Sequence, residues 1–202
     1  VITPLLELAT YTFVFHLIIG VQFVEGSDWS NYVLFLFCGM VTWFSVHDGL
    51  AKATTSIIDH GHLIQKVSFP AITLPGYVIS SAVLNQVIRM GVLAGACLLL
   101  GQGLSWHFLL IPLVLAVQTA FVLGAGMLLA TTHVYFRDTI HWVKAFLLLW
   151  MFVTPIFYPA SAYPPRFGLL LNLNPLAHLV GVYRELILNQ TIPHVHSMLV
   201  VV

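Results

Sequence analysis

FLLIPLVLAVQTAFVLGAGMLLAT, residues 108–131, holds no Asp, Glu, Lys or Arg, and Gln118 is its only strongly polar side chain. Coiled as an α-helix at 1.5 Å per residue, such a stretch reaches about 36 Å, more than the roughly 30 Å of a bilayer's hydrocarbon core. A β-barrel strand would have to alternate apolar and polar residues, and this run does not. It is therefore read as a membrane-spanning helix. The rest of the chain has the same character: hydrophobic residues make up 59% of the 202, charged residues 7%, and the mean hydropathy is +0.97. Soluble domains are about one quarter charged, so an ordinary water-soluble fold is excluded. With 7 basic and 7 acidic residues the net charge is zero. That leaves no electrostatic case for nucleic acid or for a polybasic arm on anionic lipid. Glu7 stands where a secretory leader would carry Lys or Arg, so no signal peptide is expected.

Working outward, uncharged runs at 8–24 and 32–47 predict two spans, and 75–100, interrupted only by Arg89, predicts a third. A fifth helix is expected over about 141–158, followed by irregular backbone where Pro155, Pro159, Pro164 and Pro165 each remove an N–H. Residues 167–183, punctuated by Asn172, Asn174, Pro175 and Gly181, read as short helices dipping into the membrane, and 193–202 is too short to span. The expected fold class is all-α, a polytopic membrane bundle of about six transmembrane helices with a re-entrant hairpin before the last. Lys52, Lys66, Arg137 and Lys144 lie in the connections 52–74 and 132–144, whereas 25–31 and 101–107 have no Lys or Arg. The positive-inside rule puts the first pair of connections, and by parity the N-terminus, in the cytoplasm.

Cys38 and Cys97 fall inside predicted spans and read as small hydrophobes rather than a disulfide framework. Among ten histidines, His60 and His62, and His194 and His196, are spaced two apart. Positions i and i+2 point to opposite sides of a helix, so no metal site is expected. Arg89 lies about 20 Å along its helix from Pro75, near the midplane. It either faces a hydrated path for an anionic substrate, or snorkels or pairs within the bundle. Asp48 and Lys52 form a favourable i,i+4 pair. The chain has no glycine-rich phosphate loop, nucleophile elbow or His-Glu-x-x-His helix, so it is not expected to be an enzyme, and energy would come from another chain. Residues 57–70, IIDHGHLIQKVSFP, are unusually apolar for a cytoplasmic loop. Ile57, Ile58, Leu63, Ile64, Val67 and Phe69 form a greasy face for a partner, or else a surface helix packed on its own bundle.

At this loop the sequence resembles the permease subunit of type-2 ABC exporters of polysaccharides, the family that exports O-antigen, capsule and teichoic-acid chains. The motifs run in family order: Gly39-Met-Val-Thr-Trp43-Phe44; Leu63-Ile-Gln-Lys66-Val-Ser-Phe69-Pro70, then Pro75; Tyr135-Phe136-Arg137-Asp138; Thr154-Pro155-Ile-Phe-Tyr-Pro159; Asn174-Pro175-Leu176; and Tyr183-Arg184. They cover about residues 5–190. The resemblance implies a homodimer in the bacterial inner membrane, mounted on two copies of an ABC ATPase subunit. ATP and Mg would be bound by that partner, and this chain would carry no cofactor. It also implies a cytoplasmic coupling helix at 57–69 that meets the ATPase through Asp59, His60, Leu63, Ile64 and Lys66, and a second cytoplasmic motif of Phe136, Arg137 and Asp138. Residues 160–190 would be the extracellular-side re-entrant hairpin. Arg89, Phe152, Pro155, Phe157, Tyr158, Tyr163 and Arg184 are the candidates for channel and gate. Family members start with a basic interfacial helix and finish a full sixth span, so both ends are expected to be truncated. Sugar rings have apolar faces on which aromatic rings stack. Phe13, Phe15, Tyr32, Phe35, Phe37, Trp43 and Phe44 are further candidates for that, and equally for helix packing or interfacial belts. Two other readings remain: an ABC exporter of a small drug or lipid, and an ATP-independent secondary transporter or channel, for which no convincing inverted repeat is found.

Overall fold

The computed structural model describes residues 2–11, 13–14, 29–61, 70–101, 103, 105–160 and 163–191. They are mostly helical, with no strand among the described residues: α1 (Ile2–Tyr11), α2 (Trp29–Asp59), α3 (Thr73–Leu99), α4 (Ile111–Tyr135, entered through a 3-10 turn at Trp106–Leu110), α5 (Thr139–Val153), α6 (Gly168–Asn172) and α7 (Pro175–Arg184). Three stretches are long and apolar enough to cross a membrane: Tyr32–Asp59, Thr73–Leu99 and Trp106–Tyr135.

The middle of the bundle is α2. Of its most apolar window 78% is buried, against 28% for the α3 stretch and 17% for the α4 stretch. Leu34, Phe37, Cys38, Val41, Val46 and Ala53 lose all contact with solvent. By contrast Leu84, Leu113 and Leu128 stand on the outside of α3 and α4. Large apolar side chains presented on every outward face are stable only where the surroundings are lipid.

Two glycines set the spacing between these helices. A Cβ on Gly49 would lie 2.8 Å from Val122 Cγ1, and one on Gly126 would lie 2.9 Å from Ile79 Cδ1 and 3.2 Å from Ala53 Cβ. Association in lipid depends on backbone approach through small residues, which these positions supply. The pairs 49 with 122 and 53 with 126 advance together, so α2 and α4 run in the same direction. Ala53 and Gly126 meet Ile79, whereas Ser45 Oγ donates to the Ala82 carbonyl, so α3 runs against them.

Proline placement fixes the helix ends. Pro75 and Pro112 sit in the first turns of α3 and α4, where the missing N–H has no partner to lose. The sequence predicts α5 to about 158, but it stops at Val153, because Pro155 cannot donate to the carbonyl four residues back. At 15 residues it reaches about 22 Å. Conversely α2 outruns its uncharged core and stays helical to Asp59, so residues 57–59 of the expected coupling helix are its last turn. Residues 62–69 and the final stretch from 192 lie outside the described residues. After α7 comes a π turn, Glu185–Asn189, closed by Gln190 in the left-handed region at φ 53°.

Candidate functional site

At one end of the bundle the parallel α2 and α4 both terminate and α3 begins, which places Asp59, Pro70 and the 136–138 corner on one face. Asp59 is exposed, and His60 is half-buried with Nδ1 donating to the Ser56 carbonyl at 2.9 Å. Of the other predicted coupling residues, Leu63, Ile64 and Lys66 lie outside the described residues. Further back along α2, Asp48 accepts from Lys52 Nζ at 3.5 Å and meets His47 Nδ1 at 3.2 Å, so the expected i,i+4 pair is formed with a third member.

The second corner is a built turn. The Phe136 N–H donates to the Thr132 carbonyl at 2.9 Å, ending α4, and Thr139 Oγ1 donates to the Phe136 carbonyl at 2.6 Å, starting α5. Phe136, Arg137 and Asp138 are all exposed, and among the described residues Arg137 and Asp138 take part in no ion pair. They line an open hollow of about 570 Å³ together with Thr132, Tyr135, Thr139 and Trp142.

In the bundle interior, Arg89 forms a two-pronged ion pair with Glu7, Nε to Oε2 at 3.1 Å and Nη2 to Oε1 at 3.3 Å, and lies 5.3 Å from the centre of the Phe44 ring. Of its two sequence readings, the paired one is what the structure contains. The pair fastens α1 to α3. Sequence reasoning missed a neutral network beside it. Gln86 Nε2 donates to Gln118 Oε1 at 3.1 Å, Gln118 Nε2 donates back to Gln86 Oε1 at 2.7 Å, and the Tyr183 hydroxyl donates to Gln118 Oε1 at 3.0 Å. Gln118, the one strongly polar side chain of its apolar run, beside an α3 that carries Asn85, Gln86 and Arg89, was the available signal, since an amide buried among apolar helices needs a polar partner.

At the opposite end, α5, the turn after it and α7 are knitted together by Asn174. Its Oδ1 accepts from the Leu176 and Ala177 N–H groups and so caps α7, while also accepting from Trp150 Nε1 at 2.9 Å. Its Nδ2 donates to Thr154 Oγ1 at 3.0 Å. The Asn174-Pro175 motif is thereby explained: a cap followed by proline in the first turn.

Arg184 closes the same junction. Nη1 donates to the Pro155 carbonyl at 2.6 Å, Nη2 to the Ile156 carbonyl at 2.7 Å and to the Phe35 carbonyl at 3.2 Å, and Nε to the Phe35 carbonyl at 3.3 Å. Its Cζ is 3.4 Å from the centre of the Phe35 ring, and only 7% of the residue is exposed. Pro155 is buried; Phe157 and Tyr158 are half-buried. Four gate candidates form two stacked pairs, Phe152 with Phe157 and Tyr158 with Tyr163, each with centres 6.1 Å apart, and the Tyr158 hydroxyl donates to the Phe152 carbonyl at 2.9 Å. Of the remaining aromatic candidates, Tyr32, Phe37 and Trp43 are buried in the bundle, Phe35 and Phe44 face the two arginines, Phe13 is exposed, and Phe15 lies outside the described residues.

Residues 1–188 match the ABC-2 type transporter family. The chain is 29% identical over 200 residues to the O-antigen export system permease protein RfbA of Myxococcus xanthus, covering 98% of this chain and 75% of that protein. It is 28% identical over 194 residues to a protein of the same name from Klebsiella pneumoniae, covering 95% of this chain and 72% of the relative.

Proposed function

The chain belongs to the ABC-2 type transporter family, and on that footing we propose that it is the permease subunit of an ATP-driven exporter moving a lipid-linked polysaccharide across the bacterial inner membrane. The observation that carries this reading is the match, over nearly the whole chain, to permeases of O-antigen export systems. The polymer is of the O-antigen, capsule or teichoic-acid kind. Two copies of the permease sit on two ATPase subunits, which bind and hydrolyse the ATP.

In this reading the face bearing Asp59, His60 and the 136–138 corner is the cytoplasmic one, and 57–69 is the segment that docks on the ATPase. Supporting it is the continuity of α2: from Asp59 to Phe35 the helix is unbroken, about 36 Å of rod. A push delivered at Asp59 therefore reaches Phe35 along one continuous helix. There the short helices 160–190 and the turn at 154–160 form the outer closure, and the stacked Phe and Tyr pairs offer flat apolar faces to passing sugar rings.

The test is co-expression with the ATPase subunit and measurement of polymer at the cell surface, together with the Leu63→Asp, Ile64→Asp double variant. Two charges in an apolar docking face should abolish co-purification of the ATPase and, with it, surface polymer. Undiminished association discards the coupling assignment. Export of a small amphiphile in place of polymer, or polymer movement driven by an ion gradient with no ATPase present, discards the exporter reading.

A further inference from the structure

We infer that Arg184 is the latch of the outer closure, a positioning residue that holds the 154–157 turn against α2 in the closed state and releases it when the path opens. The inference rests on the exporter reading for the meaning of closed and open, and on the geometry for everything else.

Two prolines make the turn need a donor. Continued as a helix, the chain would pair the Pro155 carbonyl with the N–H of residue 159, which is proline and has none. Once the helix breaks, the Ile156 carbonyl is left without a helical donor as well, in a residue wholly buried from solvent. Arg184 supplies both bonds from one guanidinium and turns two further donors, on Nε and Nη2, to the Phe35 carbonyl of α2. One side chain thus ties three separate pieces: α7, the turn and the central rod. Tyr32 adds a second tie, its hydroxyl reaching the Phe157 carbonyl at 3.4 Å. The opening that admits the guanidinium is made by Gly39, one turn along α2 from Phe35. A Cβ there would lie 2.7 Å from Arg184 Nη2.

The choice of partners suits release. Among the described residues no carboxylate pairs with Arg184; its charge is met by neutral carbonyls and an aromatic face. A cation so held carries a desolvation penalty that entering water removes, whereas a buried carboxylate pair would resist separation. The closed arrangement is dry and bonded, and the open one is wet with the guanidinium hydrated. Those are the two discrete states a gate requires. Because Phe35 and Asp59 lie on one helix, displacement of α2 at its inner end acts directly on the carbonyl that the latch grips.

The experiment uses the permease and ATPase complex in proteoliposomes, reading release of an encapsulated small fluorescent sugar without ATP and transport of polymer with ATP. Arg184→Met removes every donor and should raise the ATP-independent leak by at least about tenfold, the effect expected from losing one charge-assisted bond. Arg184→Lys, which keeps the charge but not the fork, should leak to an intermediate degree. A second variant covers the case in which Arg184→Met does not fold. Gly39→Cys with Ile156→Cys, in a Cys38→Ala, Cys97→Ala background, joins the turn to α2 covalently, since a Cβ at position 39 would lie 3.3 Å from Ile156 Cγ2. Oxidised, this variant should neither leak nor export; reduced, it should recover export but leak, because the new Cβ at position 39 crowds the guanidinium. Wild-type leak in Arg184→Met, or equal export by the oxidised and reduced crosslink variant, overturns the latch. The leak pattern as described, with no ATP-driven polymer transport even by the wild-type complex, supports the latch and overturns the exporter reading instead.

Discussion

Gln86 and Gln118 hold each other through two reciprocal amide bonds, and the Tyr183 hydroxyl donates to Gln118 Oε1. Truncating one member strands the other in an apolar interior, whereas replacing both removes donors and acceptors together. Gln118→Leu should therefore lower the thermal unfolding temperature in detergent more than Gln86→Leu. The single changes are each expected to cost about 1 to 2 kcal/mol, and the double variant less than their sum. Additivity within a few tenths of a kcal/mol would show that the network contributes nothing as a unit. Residues of this kind mark the limit of what a sequence tells. Gln118 stood out as the one polar group in its run, but its partners are 32 and 65 residues away, and Glu7, which neutralises Arg89, is 82 away. Hydropathy locates a misfit in a span. Only packing tells which misfits are mates.

Among the elements, α2 and α4 approach through Gly126, whose missing Cβ faces both Ile79 and Ala53, while Gly124, two residues earlier on the same helix, has nothing within 4 Å of where its Cβ would be. The contrast makes an internal control. Gly126→Val should destabilise the bundle by about 1 to 3 kcal/mol through overpacking, whereas Gly124→Ala should be neutral or slightly favourable to the helix. Equal unfolding temperatures for the two variants, measured by detergent thermal melts, would mean that α2 and α4 are less closely packed than the 3.2 Å to Ala53 Cβ implies. The long elements were legible because a lipid solvent demands uninterrupted apolar runs, and those at 75–100 and 108–131 reappear almost unchanged as α3 and the α4 stretch. Lengths at the ends were less so. Charge ended the second predicted span at 47, yet α2 runs on to Asp59, since Asp48, Lys52 and Thr55 disturb hydropathy without disturbing helical geometry. Proline misled in the other direction: α5 gives up its last turn as soon as Pro155 withholds an N–H, five residues short of the expected end.

For the molecule as a whole, direction is the property on which the mechanism depends. Parallel α2 and α4 with α3 against them put the 57–61 and 136–138 corners at one end and the Asn174 and Arg184 junction at the other. In the proposed reading the first end, with Lys52, Arg137 and Lys144, is the cytoplasmic one, as short basic connections resist translocation. That assignment can be checked one side at a time. In a Cys38→Ala, Cys97→Ala background, Asp59→Cys and Asp138→Cys should react with a membrane-impermeant maleimide in inside-out vesicles and not in intact spheroplasts, with Tyr163→Cys showing the reverse. Asp59 and Asp138 are exposed and Tyr163 is half-exposed, so access is governed by side rather than by burial. Labelling of Asp138→Cys from outside would invert the molecule. The docking segment would then face away from any nucleotide, and the Arg184 junction would lie on the ATPase side. The latch would fall with it, because a clamp beside the motor cannot guard the exit.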